Sequence, residues 1–157
     1  MQYTLINLLK EEHILIGVDA ANAQDGIRKL TTPLVESRHV TPEFADDVWE
    51  REKTFPTGLP TQPFAVAIPH ADPDHVQQSA VGVGVLMTPV QFAQMGTDGS
   101  TVLDVPIIFL LAIKEKEKQV EMIQQLMTLI QSPELLSGLS KVKNASEAMS
   151  LIKNLFS

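Results

Sequence analysis

The chain has 157 residues, 44% of them apolar and 20% charged, which suits one domain with a buried core and excludes a disordered protein. A net charge of −7 argues against a nucleic-acid binder and favours a basic protein partner. The lack of cysteine excludes disulfides, thiolate catalysis and cysteine-based zinc sites. The longest apolar run, Val105 to Ile113, is broken by Pro106 and too short to cross a bilayer, and residues Met1 to Glu12 lack a secretory pattern. The expectation is a soluble cytoplasmic protein with no direct membrane insertion.

In chain order, Ile14 to Val18 reads as the first strand. Asn22 then suits an N-cap, and Ile27, Leu30, Leu34 and Val35 recur at helical spacing, with Pro33 expected to kink or split that helix. A second helix is predicted from Thr41 as cap and Pro42 as first residue to about Lys53, with Phe44, Val48 and Trp49 on its apolar face. It delivers Arg51 to its last turn. The Pro- and Gly-rich segment Thr54 to Pro63 reads as a loop. It leads into an apolar run, Phe64 to Ile68, that stops at Pro69 and His70. Proline has no N–H to give a central ladder, so His70 is placed at the carboxyl end of a buried strand. Ala80 to Met87 is a further strand, whose Gly82 and Gly84 share a face open to a close-packed neighbour. Thr97 to Ser100 is a turn, and Val105 to Ile113 is the best central strand. Lys114 to Lys118 is a solvated loop or helix start. From Gln119, the positions Val120, Ile123, Leu126, Met127 and Ile130 describe an amphipathic helix with methionine as core filler. A short helix follows from Pro133 to Leu139, and Asn144 with Glu147 caps a last helix carrying Ala148, Ile152 and Phe156. Alternating strands and helices predict one three-layer α/β domain over residues 1–157.

Of the four histidines, His13 and His39 sit at element boundaries and are expected on the surface, and His75 is expected exposed in a loop. His70 alone follows a strand directly, at the sheet edge where ligands of α/β proteins gather. The run His70-x-Asp72-x-Asp74-His75 offers metal ligands, although a loop with Pro73 lacks the regular face of most zinc sites. No G-x-S-x-G elbow and no nucleotide-binding glycine motif occurs. Histidine acting as a nucleophile toward phosphorus fits better. A neutral imidazole has the lone pair to take a phosphoryl group, and donors such as Arg51, Thr57, Gly58 and Gln119 would meet its spreading negative charge.

The segment Trp49 to Asp72, with Arg51-Glu52-Lys53, Phe55-Pro56-Thr57-Gly58-Leu59 and Ala67-Ile68-Pro69-His70, resembles the enzyme IIA domains of the fructose/mannitol class in the bacterial sugar phosphotransferase system. The likeness runs from the Ile14 strand to the closing helices. It implies a three-layer α/β sandwich with a mixed sheet flanked by helices, and a histidine that accepts phosphate from the phosphocarrier HPr and passes it to a IIB component coupled to a membrane IIC component. His70 matches the phosphorylated histidine, with Nε2 the implied acceptor and Nδ1 held by a local acceptor, and Arg51 matches the arginine on the phosphate. Mannitol-type members carry a second histidine where this chain has Gln119. That replacement and the Phe-Pro-Thr-Gly-Leu loop are similar to galactitol-type members. The resemblance therefore implies a phosphoryl carrier with no metal or organic cofactor, using His70, Arg51, Gln119 and Thr57. Two other readings stand beside it: a regulatory phosphohistidine module resembling nitrogen-type IIA proteins, and a metal-dependent hydrolase using His70, Asp72, Asp74 and His75.

Overall fold

The computed structural model describes residues 4–156. A five-stranded sheet contains β1 (Leu9–Val18), β2 (Gly58–Leu59), β3 (Val66–Ala67), β4 (Ala80–Ala93) and β5 (Val102–Ala112), in the spatial order β1-β4-β5-β3-β2. β1 is parallel to β4 and β3 to β5, while β4 with β5 and β2 with β3 are antiparallel. The helices are α1 (Ala23–Glu36), α2 (Phe44–Thr54), α3 (Gln119–Ile130), α4 (Pro133–Leu139) and α5 (Ala145–Phe156).

The run that looked most central is the third strand of the sheet, and its alternation explains the layers. Ile107, Phe109 and Leu111 point to the side closed by Met122, Leu126, Leu136 and Ile152, whereas Ile108, Leu110 and Ala112 meet Ile27, Leu30, Phe44 and Val48. Both faces are buried, which is why β5 reads as one continuous apolar stretch. Pro106 is tolerated in β5 because the ladder to β4 is interrupted there: Val85 opposes Ile107, but the next pair joins Val90 to Val105. On the other face α1 lies close to β4. A Cβ on Gly84 would sit 2.5 Å from Cδ1 of Leu30, so the glycine makes room for the helix.

Several elements depart from the sequence expectations. Pro33 does not split α1, which runs on to Glu36: one bond to the Lys29 carbonyl is forgone, and the helix is closed after it by the Ser37 N–H donating to the Pro33 carbonyl at 3.0 Å. Thr41 does not cap α2 with its hydroxyl. The turn is closed by the Phe44 N–H donating to the Thr41 carbonyl at 3.0 Å, and the helix starts at Phe44. The expected loop 54–63 contains β2. Val120 is 65% exposed, since α3 turns Met122, Leu126, Leu129 and Ile130 inward instead. Asn144 does cap: its side chain accepts from the Glu147 N–H at 2.9 Å.

His13 and His39 are also corrected, since both are buried, at 1% and 5% exposure. β1 begins earlier than its apolar run, at Leu9, and a register shift between Leu9 and Ile14 buries His13 and Ile14 in succession. Arg38, with φ of 63°, takes the left-handed turn after α1 that brings His39 back against it.

Candidate functional site

The strand that ends at His70 keeps one register beyond its two ladder residues. Val66 opposes Ile107, Ala67 opposes Ile108 and His70 opposes Leu111, whose N–H donates to the Pro69 carbonyl at 3.0 Å. The imidazole is thereby fixed at the carboxyl end of β3, only 8% exposed. Its Nδ1 lies 2.9 Å from the Ile68 carbonyl. A carbonyl can only accept, so Nδ1 carries the proton and Nε2 of the neutral ring keeps its lone pair. Burial first, then the charge of Arg51, holds the pKa of His70 below its ordinary value, against the Ile68 bond and Asp72. The ring is neutral at pH 7, and among the described residues Nε2 has no hydrogen-bond partner.

Arg51 stands in the last turn of α2, its guanidinium carbon 5.1 Å from the centre of the Phe55 ring. Its Nε is buried with no partner, and among the described residues it forms no ion pair. A buried donor left unpaired beside a neutral histidine suits an arriving anion. Both side chains line a cleft of about 320 Å³ whose other walls include Phe55, Thr57, Met95 and Ile123. A larger cleft, about 520 Å³ beside Trp49 and Pro89, contains no histidine.

Thr57 lines the His70 cleft, yet both its donors turn inward. Its N–H and its hydroxyl donate to the two carboxylate oxygens of Glu52, at 2.8 and 2.7 Å. Glu52 is 6% exposed, and burial pushes its pKa up to about 7 although both Thr57 bonds oppose the rise. Gln119 is at the start of α3, where its amide donates to the Ala71 carbonyl at 3.1 Å. It thus ties α3 to the residue after His70 and is not among the side chains that line the cleft. Gly58 packs so closely that a Cβ would sit 2.6 Å from the Ala93 carbonyl oxygen.

The acidic run behind His70 does not gather. Asp72 and Asp74 are exposed, and Nδ1 of His75, a half-exposed ring, pairs with Asp47. Among the described residues no three histidine or carboxylate side chains are grouped to hold a metal ion. Sequence reasoning missed Glu52, although its place was legible: it continues the spacing Phe44, Val48, Glu52, the three buried residues of α2. It also missed the β4–β5 turn around Met95, Gly96 and Thr97 as a wall of the site.

Residues 7–155 match the family model for the phosphoenolpyruvate-dependent sugar phosphotransferase system, EIIA 2. The chain is 25% identical over 144 residues to the mannitol-specific EIICBA component of the phosphotransferase system from Vibrio cholerae, covering 92% of this chain and 21% of that relative. It therefore spans about a fifth of the length of that longer protein. Among solved structures, it is similar to a putative IIA protein, PtxA, from Streptococcus mutans, with a TM-score of 0.79, 26% identity and coverage of 97% of this chain and 94% of that one. The fold is also that of enzyme IIAMtl in its complex with phosphorylated enzyme IIBMtl from Escherichia coli, with a TM-score of 0.74, 24% identity and coverage of 94% of this chain and 99% of that one. No helix among the described residues is long and apolar enough to cross a membrane. The match along nearly the whole chain, on a mixed sheet that ends at a buried neutral histidine, makes this protein a member of the EIIA type 2 family and a phosphoryl-carrier domain of the sugar phosphotransferase system.

Proposed function

We propose that His70 is the phosphoryl acceptor, taking the group from HPr on Nε2 and passing it to a IIB component during uptake of a sugar or polyol. The observation that carries this reading is the Nδ1 bond to the Ile68 carbonyl, which leaves the opposite ring nitrogen as the nucleophile beside an unpaired arginine. In the acceptance step the Nε2 lone pair forms a bond to phosphorus. The bond from phosphorus to the donor breaks, and its electron pair stays with the donor. Arg51 meets the negative charge that spreads over the equatorial oxygens. Gln119 holds the segment after His70 in place, and Thr57 shapes the cleft wall. The transfer needs no metal or organic cofactor, because protein partners bring and remove the group.

The IIB partner is suggested by the likeness to enzyme IIAMtl, solved with its phosphorylated IIB. A cytoplasmic setting and one functional domain over 1–157 go with this role. Gln119, in place of a second histidine, and the loop containing Thr57 favour a galactitol-type substrate branch. The test is incubation with phosphoenolpyruvate, enzyme I and HPr, followed by intact mass, for the wild type and His70→Ala. A single acid-labile phosphoryl group on the wild type alone supports the reading, and its absence with active controls ends it. Unchanged polyol uptake by the His70→Ala strain would move the phosphohistidine from transport to regulation.

A further inference from the structure

Glu52 is a buried carboxylate whose two oxygens serve one residue. It takes the amide and the hydroxyl of Thr57, the only donors that residue has. The Thr57 carbonyl then accepts the Ile68 N–H at 3.3 Å, and the Ile68 carbonyl accepts the Nδ1–H of His70 at 2.9 Å. Ile68 therefore carries both the strut that reaches it from α2 and the acceptor that fixes the imidazole. The residue after Thr57 is bound in turn to the β4–β5 hairpin, since the Met95 N–H donates to the carbonyl of Gly58 in β2 at 2.8 Å. The connection runs through consecutive hydrogen bonds, with Arg51 next to Glu52 on the same helix turn.

We propose that Glu52 is a positioning residue for His70: by holding both donors of Thr57 it keeps the Ile68 peptide aimed at Nδ1, and so keeps Nε2 in the reactive tautomer facing the cleft. This rests on His70 being the acceptor, but the arrangement of the ring is a separate property with its own readout. A carboxylate buried to this degree costs stability unless its bonds offset desolvation, so an apolar residue continuing the Phe44 and Val48 stripe would be the cheaper choice for packing alone. The Glu52 bonds give the imidazole a reference fixed to the helix that also presents Arg51.

The experiment compares wild type, Glu52→Ala and Glu52→Gln by the initial rate of phosphoryl acceptance from phospho-HPr and by ring-nitrogen NMR of the unphosphorylated protein. Glutamine can remake both bonds, its carbonyl accepting the Thr57 N–H and its amide donating to the Thr57 hydroxyl. The expected result is one Nδ1–H tautomer in the wild type and in Glu52→Gln, a mixture in Glu52→Ala, and a rate lowered ~10–100-fold in Glu52→Ala alone. A folded Glu52→Ala that keeps the wild-type tautomer and rate would overturn the proposal, as would a Glu52→Gln no better than alanine. Should Glu52→Ala fail to fold, Glu52→Leu, which fills the same space but accepts from neither donor of Thr57, takes its place with the same two readouts, and a wild-type tautomer and rate in that variant would overturn the proposal equally. If the wild type accepts no phosphoryl group, the acceptor assignment falls, while the tautomer comparison still decides the role of Glu52.

Discussion

His70 and the pair His13–His39 are buried alike, and burial is the leading cause that lowers the pKa of all three. They differ in what their nitrogens meet. The Ser37 hydroxyl oxygen lies 2.8 Å from Nε2 of His13, 2.8 Å from Nδ1 of His39 and 3.3 Å from the Leu34 carbonyl. A hydroxyl has one proton to give and two lone pairs, so it donates to Leu34 and accepts from both rings. The two rings also meet edge to face, 4.8 Å apart at 81°. The remaining nitrogen of His13 is buried without a partner, whereas that of His70 opens on the cleft beside Arg51. A buried histidine is thus no sign of chemistry by itself. What separates the two regions is whether the unprotonated nitrogen can be reached and whether a donor waits next to it.

The sharpest break of this comparison is a pair of alanine variants. His70→Ala is expected to abolish phosphoryl gain by intact mass, while His13→Ala keeps it and loses about 1–3 kcal/mol of stability in urea. A His70→Ala protein that still gained the group would place the acceptor elsewhere. Next in size, Arg51→Ala removes the unpaired donor and should slow acceptance about 100-fold, the usual cost of a missing charge-stabilising donor, without moving the urea midpoint much. An equal loss of rate and stability in Arg51→Ala would mean that the arginine serves the fold instead. Smaller again, Ser37→Ala leaves two ring donors buried without an acceptor and should cost about 1–3 kcal/mol, with the rate of acceptance unchanged. If that rate fell, the pair would have to be coupled to the site and the contrast would fail.

The two regions were unequally legible in the sequence. His70 announced itself because an apolar run ending in Pro-His is a local pattern, and local patterns survive folding. The same holds for the Pro133 helix, the Asn144 cap and the continuous apolar run of β5, which follow from their own residues. His13 and His39 misled because their burial depends on partners distant in the chain: a register shift in β1 and a left-handed turn at Arg38 bring them to one serine. Thr57 reads as a phosphate donor from its place in a Pro- and Gly-rich loop, and only tertiary structure shows its donors facing Glu52. Glu52 lay between these cases. Its spacing from Phe44 and Val48 marked it as buried, but a carboxylate on an apolar stripe has no meaning until its partner is known.

The smallest expected effect separates the histidines by sign. For His13 and His39 the folded pKa is lowered, with Glu12 opposing and Lys10 adding to the shift, so the unfolded chain binds protons that the folded protein refuses. Stability from these rings is complete above 6.5 and lost as pH falls from there through the lower folded pKa. His75 behaves in the opposite way. Its bond to Asp47, joined by the charges of Glu43 and Asp74, raises its pKa above 6.5, so the gain is fully present below that value and vanishes as pH climbs through the folded pKa. Asp47→Asn removes the largest of these influences. The wild type should therefore exceed Asp47→Asn in urea midpoint mainly at pH below 6.5, with the gap closing in alkali and shrinking in salt, because the pair is on the surface. Asp47 stands one helical turn before Arg51 on α2, and the loop after His70 carries His75, so this pair spans the two elements that supply the site. A gap that widened with rising pH would reverse the sign and show that His75 is held neutral, like the buried pair.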